Sequence, residues 1–478
     1  MMQDNITGTL AKFVSQVRFE DLPKDVVHET KRITLDIIGC ALGSLDLDKG
    51  RIALEFARRT GGPKEATILG TGEKVASPIA AFANAELMHT MDYCPILAPG
   101  HVTPYVTAAP IALAEVKNAS GKALITAIAI AHEVASRVGV SLGPMRAAEG
   151  YPAPSWGLSA DTFGAAVGAG KILGFDRVKM ADTLGLAGYF APVPSHTKFL
   201  YTPYNGMAKY GPAGWIAQGG VTTAILAEIG YSGDREVLDG EYGFWMMNGS
   251  RKEAVDLTKI TAGLGKDWMI LRVGYKYWPC CGLFQSPLTA FTKLIDDYNL
   301  RPEEIEEIFV RSETFAGFAR YRATDIHNQI DAQASMPYNL AVAAHRVKVG
   351  PEWQLKSTIE KPSIHRLMKK YRWEHYPKTE ETRYQELVVE GKPYIIRRPS
   401  MVQVTARSQV FTQDVEYAKW ISAGNPEFRA TDEGLADKFR ANTEKVLNGA
   451  KMEKAIETIF TLEEMDDVSA LTNLLREN

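Results

Sequence analysis

The stretch WGLSADTFGAAVGAGKILGF, residues 156–175, decides how the first half of this 478-residue chain folds. It carries small residues at helical spacing, among them Gly164 and Gly168, and such residues let neighbouring helices approach closely. Outward from it, apolar residues recur every three or four positions, as at Ile33 and Ile37, which is typical of amphipathic helices. Strand-like alternation is scarce, so we predict a mostly helical first half.

The residue pattern changes from helical to partly β-rich after Trp268. Short β-rich runs lie at 306–311, at 385–389 with 394–397, and at 401–410, and a Glu-Gly-Lys turn after residue 389 predicts a hairpin. Helical patterns at 286–298 and 336–344 separate these runs, which predicts a smaller α+β domain. After residue 416 charged amphipathic helices return. The predicted fold class is therefore mainly α.

Charge and cysteine content exclude several classes of partner. The chain has 54 Lys and Arg against 57 Asp and Glu, a formal charge of −3, with neither sign gathered into a block. We therefore expect neither nucleic acid nor an anionic membrane as a partner, because both need a concentrated basic field. Four cysteines are too few for a disulfide framework and lack the spacing of a zinc site, so we expect a cytoplasmic protein without a metal.

The N-terminus lacks the pattern of a secretory signal, and we expect no membrane span. The longest charge-free run, residues 210–227, contains several glycines and a proline. That composition favours a helix packed inside protein.

The first segment that could carry chemistry is ANAELMHTMDYCPILAPGH, residues 83–101. His89 and Asp92 lie three apart at the end of a predicted helix, and the following loop can bring His101 near them. A carboxylate beside an imidazole is a common way to orient a general acid or base near neutral pH. The alternative is that both histidines have only structural roles.

Two lysines stand in unusual surroundings. Lys209 lies among small residues in NGMAKYGPAGWIAQGG, residues 205–220, and Lys276 lies among aromatic residues in YKYWPCCGLFQSP, residues 275–287. Either can bind a carboxylate as a point charge, although Lys209 can equally be a surface lysine. Cys280 and Cys281 are interpreted as packed thiols because no CxxC spacing accompanies them. Nucleotide-binding, zinc-protease and α/β-hydrolase motifs are absent from the sequence.

Several motifs together resemble the MmgE/PrpD family, over roughly residues 5–445. They are residues 83–101, 156–175, MAKYGPAGWIAQGGVTTAILAEIGY (207–231), KYWPCC (276–281) and MPYNLAVA (336–343), in the family's order. The resemblance implies a large all-helical domain at about 1–268 plus 417–478 and a smaller α+β lid inserted at 269–416. It also implies a homodimer that needs no cofactor, with an active site between body and lid.

The resemblance assigns roles to residues of this chain. Asp92 and His101 match the family's acid/base pair, Lys209 and Lys276 match its lysines, and Tyr338 matches a tyrosine on a lid helix. His89 also matches the family pattern, and we expect it to line the substrate site with Cys94 and Gln285. The shared chemistry is proton movement at carbon next to a carboxylate, with lysines holding the charge that develops.

This chain departs from the family pattern at three places. Cys94, Pro95 and Ile96 replace two aspartates and a threonine, Leu158 replaces a histidine, and Gln285 replaces the histidine that usually ends the lid motif. Apolar or neutral side chains thus occupy positions where polar and cationic side chains would bind a tricarboxylate. We expect a smaller or more hydrophobic organic acid as substrate.

The sequence therefore predicts a cofactor-independent enzyme that moves a proton at carbon α to a carboxylate or carbonyl. The leading hypothesis is a dehydratase (hydro-lyase) in which His101 is the acid/base and Asp92 orients it. Lys209 and Lys276 would bind the substrate carboxylate and the developing negative charge. Tyr338 would donate a hydrogen bond or a proton from the lid. An epimerase or isomerase, or a decarboxylase, would use the same scaffold. A non-catalytic paralogue that binds a small acid is the alternative outside enzymes.

Overall fold

The computed structural model describes residues 5–143, 158–192, 206–209, 211–392, 394–422 and 424–476. Long helices dominate the first half, and they are α1 (Ile6–Gln16), α2 (Lys24–Leu42), α3 (Asp48–Thr60), α4 (Ser77–Thr90), α5 (Val102–Val116), α6 (Gly121–Ser141), α7 (Asp161–Ile172), α8 (Arg177–Phe190) and α9 (Ala213–Glu228). One-turn helices follow at Phe244–Met247 and Thr258–Thr261. An antiparallel ribbon of β1 (Ala66–Thr67) and β2 (Lys74–Val75) interrupts them. The predicted helical first half is confirmed.

Small residues on α7 bring the central helices together, as the sequence predicts. A Cβ on Gly164 would lie 2.4 Å from the Ala131 carbonyl oxygen of α6, and one on Gly220 of α9 would lie 2.5 Å from the Ala165 Cβ of α7. Neither distance is compatible with a larger side chain. Helix α7 therefore packs with its backbone close to both neighbours.

Helix α6 corrects the expectation that no segment could span a membrane. The helix has 21 residues and is long and apolar enough to cross a membrane by length and composition alone. However, it is largely buried against α5, α7 and other protein elements. Core helices pass the same composition test. In this fold α6 is a buried helix of the helical core.

The later part of the chain builds a separate α+β unit. Its helices are α10 (Gln285–Asp297), α11 (Gln329–Ala334), α12 (Met336–Ala344), α13 (Pro362–Met368) and α14 (Lys378–Tyr384), with a single turn at Lys356–Ile359. Its strands are β3 (Ile305–Ser312), β4 (Tyr371–His375), β5 (Ser400–Ala406) and β6 (Gln409–Val415). They form a sheet in the order β4-β3-β5-β6, in which β3 and β4 are parallel and the other pairs antiparallel. Strand β3 and helices α10 and α12 are confirmed predictions.

The predicted hairpin around residue 390 is wrong. Gln385–Val389 is a π-helical turn, and residues 394–397 form no strand. The reason is the buried carboxylate of Glu386, which accepts hydrogen bonds from the backbone N–H groups of Ile396 (2.8 Å) and Arg397 (3.2 Å). These donors would otherwise be available to a strand ladder.

The hairpin of this sheet lies further on, inside the run predicted as one strand at 401–410. Strands β5 and β6 are joined by Arg407 and Ser408, whose φ angles are 52° and 57°. Two consecutive left-handed residues are the geometry of a tight two-residue hairpin turn. The β-rich character was predicted correctly and the turn was missed.

The C-terminal helices return to the first helical layer. They are α15 (Asp432–Thr443), α16 (Gly449–Phe460) and α17 (Ser469–Leu474). Phe439 of α15 lies against Gly39 of α2, where an added Cβ would meet its ring at 3.1 Å. One hydrophobic core contains these helices and the first half, and a second contains residues from Trp278 to Ala406. The fold is mainly α with a smaller α+β part; the boundaries at 268/269 and 416/417 stay predictions.

Candidate active site

A strained turn after α4 begins the candidate site. Asp92 follows the helix with a φ of 52°, and its backbone N–H donates to the His89 carbonyl at 3.2 Å. The chain then loops back through two hydrogen bonds between Leu97 and Gly100, of 3.0 and 2.7 Å, to the start of α5. This loop sets the His101 ring 5.6 Å from the His89 ring, centroid to centroid. The predicted approach of the two histidines is confirmed.

Asp92 and Lys276 form a buried ion pair. The Lys276 ammonium lies 2.6 Å from Asp92 Oδ1 and also donates to the Asp92 backbone carbonyl at 2.7 Å. The two segments meet because Ile96 and Gly274 exchange backbone hydrogen bonds of 2.7 and 2.9 Å. Burial alone would raise the pKa of Asp92, but the positive charges of Lys209 and Lys276 outweigh it and hold the pKa below its ordinary value. Burial lowers the pKa of Lys276, but the Asp92 charge outweighs this and raises it.

His101 is a neutral imidazole at neutral pH. Burial, and then the charge of Lys276, lower its pKa to about 3, against the opposing effect of Asp92. Its Nδ1 lies 3.8 Å from Asp92 Oδ1 and 3.5 Å from the sulfur of Cys94. A carboxylate facing Nδ1 favours the tautomer with the proton on that nitrogen, which leaves Nε2 as the basic atom. Burial also raises the pKa of the Cys94 thiol to about 11, so it stays protonated.

Lys209 brings an amine into this cluster. It ends a short turn before α9 with a φ of 50° and is only 5% exposed. Burial, with the charges of Lys49 and Lys276, lowers its pKa to about 7 against the opposing effect of the Asp92 charge. Within the part of the chain that the structure describes, its Nζ has no hydrogen-bond partner. An unpaired buried amine with this pKa indicates a place for an anion or for proton transfer.

The remaining polar groups around the cluster are themselves paired or buried. The His89 ring lies 5.2 Å from the Tyr105 ring, and burial, with the charge of Lys209, lowers the His89 pKa well below its ordinary value. Lys49 pairs with Glu86 at 2.9 Å. Sequence spacing gave no sign of Lys49, Glu86 or Tyr105, because each contact joins separate helices of the fold.

His89, Asp92 and His101 also have the donor atoms of a metal site. One ligand atom from each residue can be chosen so that all three lie within 4.8 Å of one another. However, Asp92 Oδ1 already receives the Lys276 ammonium, and Lys209 adds a further amine to the cluster. A divalent cation would have to bind next to these positive charges, so the electrostatics of the cluster favour an anion.

Two further predicted site residues have structural partners. Tyr338 is buried in the core of the α+β unit, and its hydroxyl donates to the Trp353 carbonyl at 2.5 Å. The Gln285 amide accepts from the backbone N–H groups of Tyr277 (3.1 Å) and Trp278 (3.2 Å) and donates to the Trp278 carbonyl (2.9 Å). Gln285 thus holds the backbone just after Lys276. The catalytic role predicted for Tyr338 and the substrate-binding role predicted for Gln285 stay predictions.

A buried carboxylate, two imidazoles and two amines on a helical scaffold define an acid–base site suited to an anionic ligand. The chain belongs to the MmgE/PrpD family: the family's N-terminal domain matches residues 8–254 and its C-terminal domain matches residues 278–462. The family membership expected from the sequence motifs is confirmed.

Relatives with assigned activities match over nearly the whole chain. A cis-aconitate decarboxylase of Aspergillus terreus is 24% identical over 501 residues, which is 99% of this chain and 96% of that protein. The human cis-aconitate decarboxylase is 25% identical, over 100% of this chain and 95% of its own length. A mouse cis-aconitate decarboxylase is 23% identical, with 100% and 94% coverage.

Proposed function

We propose that this protein is a lyase that removes carbon dioxide from a small organic acid without a cofactor. One observation carries the proposal: Lys209 offers a buried amine of pKa about 7, unpartnered among the described residues, in the cluster of Asp92, His101 and Lys276. Such an amine can bind a carboxylate when protonated and release its proton near neutral pH. Family membership and the names of the relatives support a lyase of small organic acids.

In the proposed reaction the bond between the acid's carbon chain and one carboxylate breaks. Carbon dioxide leaves, and the electron pair stays on the carbon, where a conjugated carbonyl group or second carboxylate of the substrate spreads the charge. Lys276 uses two of its three N–H groups on Asp92, and we assign the third to the developing negative charge. The Lys209 ammonium then donates the proton that the carbon takes up, and solvent returns a proton to the amine.

Asp92 and His101 complete the proposed machinery. Asp92, fixed by Lys276, keeps the His101 ring oriented through Nδ1, and the neutral ring can accept a hydrogen bond or a proton at Nε2. An anionic substrate raises the pKa of both His101 and Lys209, because negative charge favours their protonated forms. Substrate binding thus converts Lys209 into the ammonium that the reaction needs.

Dehydration, the leading interpretation from the sequence, is the second candidate. A neutral imidazole and an amine of pKa about 7 in one cluster form a base and an acid for eliminating water. His101 would take the proton from carbon α while Lys209 protonates the leaving hydroxyl. An epimerase would need only the first of these proton transfers.

The substrate we propose is a mono- or dicarboxylate. Cys94, a neutral thiol at neutral pH, lies 3.5 Å from His101, at a position where the family pattern has an aspartate. A homodimer and a cytoplasmic location, both expected from the sequence, complete the proposal. Sedimentation of the purified protein tests the dimer.

The test is a panel of unsaturated, hydroxy and amino acids with one, two or three carboxylates, incubated with the protein in deuterated water. Decarboxylation releases carbon dioxide and leaves one deuterium on the product carbon, which proton NMR detects. Loss of water without carbon dioxide would replace the proposal with dehydration, and exchange alone would replace it with epimerisation.

Two variants complete this test. Lys209→Met should abolish turnover, whereas the matched Lys259→Met, at an exposed lysine, should not change it. No turnover by the folded wild-type protein with any acid of the panel would contradict the proposal.

A further inference from the structure

Several backbone carbonyls of the Asp92 turn accept hydrogen bonds from side chains in distant parts of the sequence. Four consecutive carbonyls, from Thr90 to Tyr93, accept such hydrogen bonds. The donors are Gln333 to Thr90 (2.7 Å), Gln354 to Met91 (2.7 Å), Lys276 to Asp92 (2.7 Å) and Lys438 to Tyr93 (2.8 Å).

Two of these donors also hold the segment that carries Lys276. The Lys438 ammonium donates to the Lys276 carbonyl at 3.1 Å, and the Gln354 amide donates to the Pro279 carbonyl at 2.8 Å. Each side chain therefore joins the Asp92 segment to the Lys276 segment. Gln354 comes from the α+β unit and Lys438 from helix α15, so both parts of the fold contribute.

Lys438 is itself fixed from two sides. Its ammonium pairs with Asp36 of α2 at 2.8 Å and lies 3.6 Å from the centre of the Tyr93 ring. Both charged side chains are almost completely buried, at 2% and 0% exposure. A buried charge with a paired partner and two backbone acceptors has little freedom to move.

Gln354 is also saturated with hydrogen bonds. The nitrogen of its amide has two N–H groups, and these bond Met91 and Pro279. Its amide oxygen accepts from Gln329 (2.7 Å) and Gln333 (2.6 Å). The orientation of the amide is therefore determined, and it cannot release one segment without breaking the network.

The turn needs such support because Asp92 adopts the left-handed region, with φ 52°. A non-glycine residue stays in that region when the surrounding structure over-determines it. The same geometry brings the Asp92 carboxylate within 2.6 Å of Lys276 and 3.8 Å of His101. Holding the turn therefore holds the ion pair and the orientation of the imidazole.

We infer that Lys438 and Gln354 are positioning residues that clamp the Asp92 and Lys276 segments together and set the geometry of the acid–base cluster. The inference rests on the proposed function for its catalytic consequence. A displacement of about 1 Å in reacting groups can cost a hundredfold in rate, so loss of either clamp residue should act on the chemical step more than on substrate affinity.

The activity test uses Lys438→Met and Gln354→Met, which keep length and remove the hydrogen bonds. We expect kcat to fall about tenfold or more while KM changes less than about threefold. Lys438→Arg should recover part of kcat, because it keeps the charge and donors. The control is Lys31→Met: Lys31 is also a buried lysine, paired with Glu463 (2.8 Å) and donating to the Phe460 carbonyl (2.8 Å), and its loss should leave kcat unchanged.

A second measurement does not depend on activity. The thermal unfolding of Lys438→Met, Asp92→Asn and the double variant forms a cycle, and we expect the two effects to be clearly non-additive. Lys31→Met combined with Asp92→Asn should be additive. Additive effects for Lys438, or a kcat equal to wild type in both clamp variants, would overturn the inference. Absence of turnover in the wild-type protein would instead contradict the proposed function, and the stability cycle would still decide the clamp.

Discussion

Replacing Lys209 by methionine should make the protein more stable while removing its activity. The Lys209 ammonium is buried and has no hydrogen-bond partner among the described residues, so the folded state disfavours its charged form. Methionine keeps a flexible apolar chain of similar length without the charge. The substitution therefore removes a destabilising group that the site retains for function.

The size of the effect follows from the lysine's pKa, which burial lowers from 10.5 to about 7. The unfolded chain binds this proton as the pH falls through 10.5, whereas the folded protein binds it only near 7. The contribution of Lys209 to folding stability therefore decreases as the pH falls from about 10.5 to about 7, and it no longer changes below pH 7. The full difference corresponds to about 5 kcal/mol. Because the unfolded chain also responds to substitution, we expect a net gain of about 2 kcal/mol or more.

The assay is thermal unfolding of wild type and Lys209→Met between pH 6 and pH 10, at one scan rate. The variant should unfold at a higher temperature at pH 6 to 7, and its advantage should shrink towards pH 10. Lys276→Met is the control with the opposite sign, because it leaves the Asp92 carboxylate buried without its 2.6 Å partner, a loss of about 3 to 5 kcal/mol. If Lys209→Met is less stable than wild type at pH 6, or if its stability difference from wild type is independent of pH, the buried Lys209 ammonium does not destabilise the folded protein.

Three further outcomes follow from the same geometry. His101→Gln should lower kcat by about a hundredfold or more in steady-state kinetics, because glutamine lacks the basic Nε2 that accepts a hydrogen bond or a proton in the proposed site; an unchanged kcat would remove His101 from the mechanism. Prolonged treatment with a chelator should leave activity unchanged, because the lysines beside His89, Asp92 and His101 oppose a cation; loss of activity restored by one divalent metal would show the contrary. Gln285→Leu should lower the unfolding temperature by removing the bonds that hold the Trp278 backbone, and an unchanged temperature would show that these bonds add nothing.

Local features of the sequence predicted the fold and part of the site. Small residues in α7 predicted close helix packing, and the His89–His101 segment predicted the approach of two imidazoles to one carboxylate, because each depends on spacing within about 20 residues. The prediction of a hairpin near residue 390 was wrong because the Glu386 carboxylate, and not a neighbouring strand, accepts hydrogen bonds from the backbone N–H groups of Ile396 and Arg397.

The spacing of residues along the sequence could not predict contacts between distant segments. The sequence indicated that Lys276 could bind an anion, but its partner Asp92 lies 184 residues away. Lys438 lies 162 residues beyond Lys276 and carries no local signal. The pKa of Lys209 likewise depends on burial and on neighbouring charges that only the folded chain brings together.

The pH dependence of kcat/KM for an acid that the protein turns over tests most directly whether Lys209 is the proton donor of the site. We predict an ionisation near pH 7 in the free enzyme, with activity falling as Lys209 loses its proton, and no measurable turnover by Lys209→Met. A profile that is flat from pH 5.5 to pH 8.5, together with undiminished kcat/KM in Lys209→Met, would contradict the claim that Lys209 is the proton donor of this site.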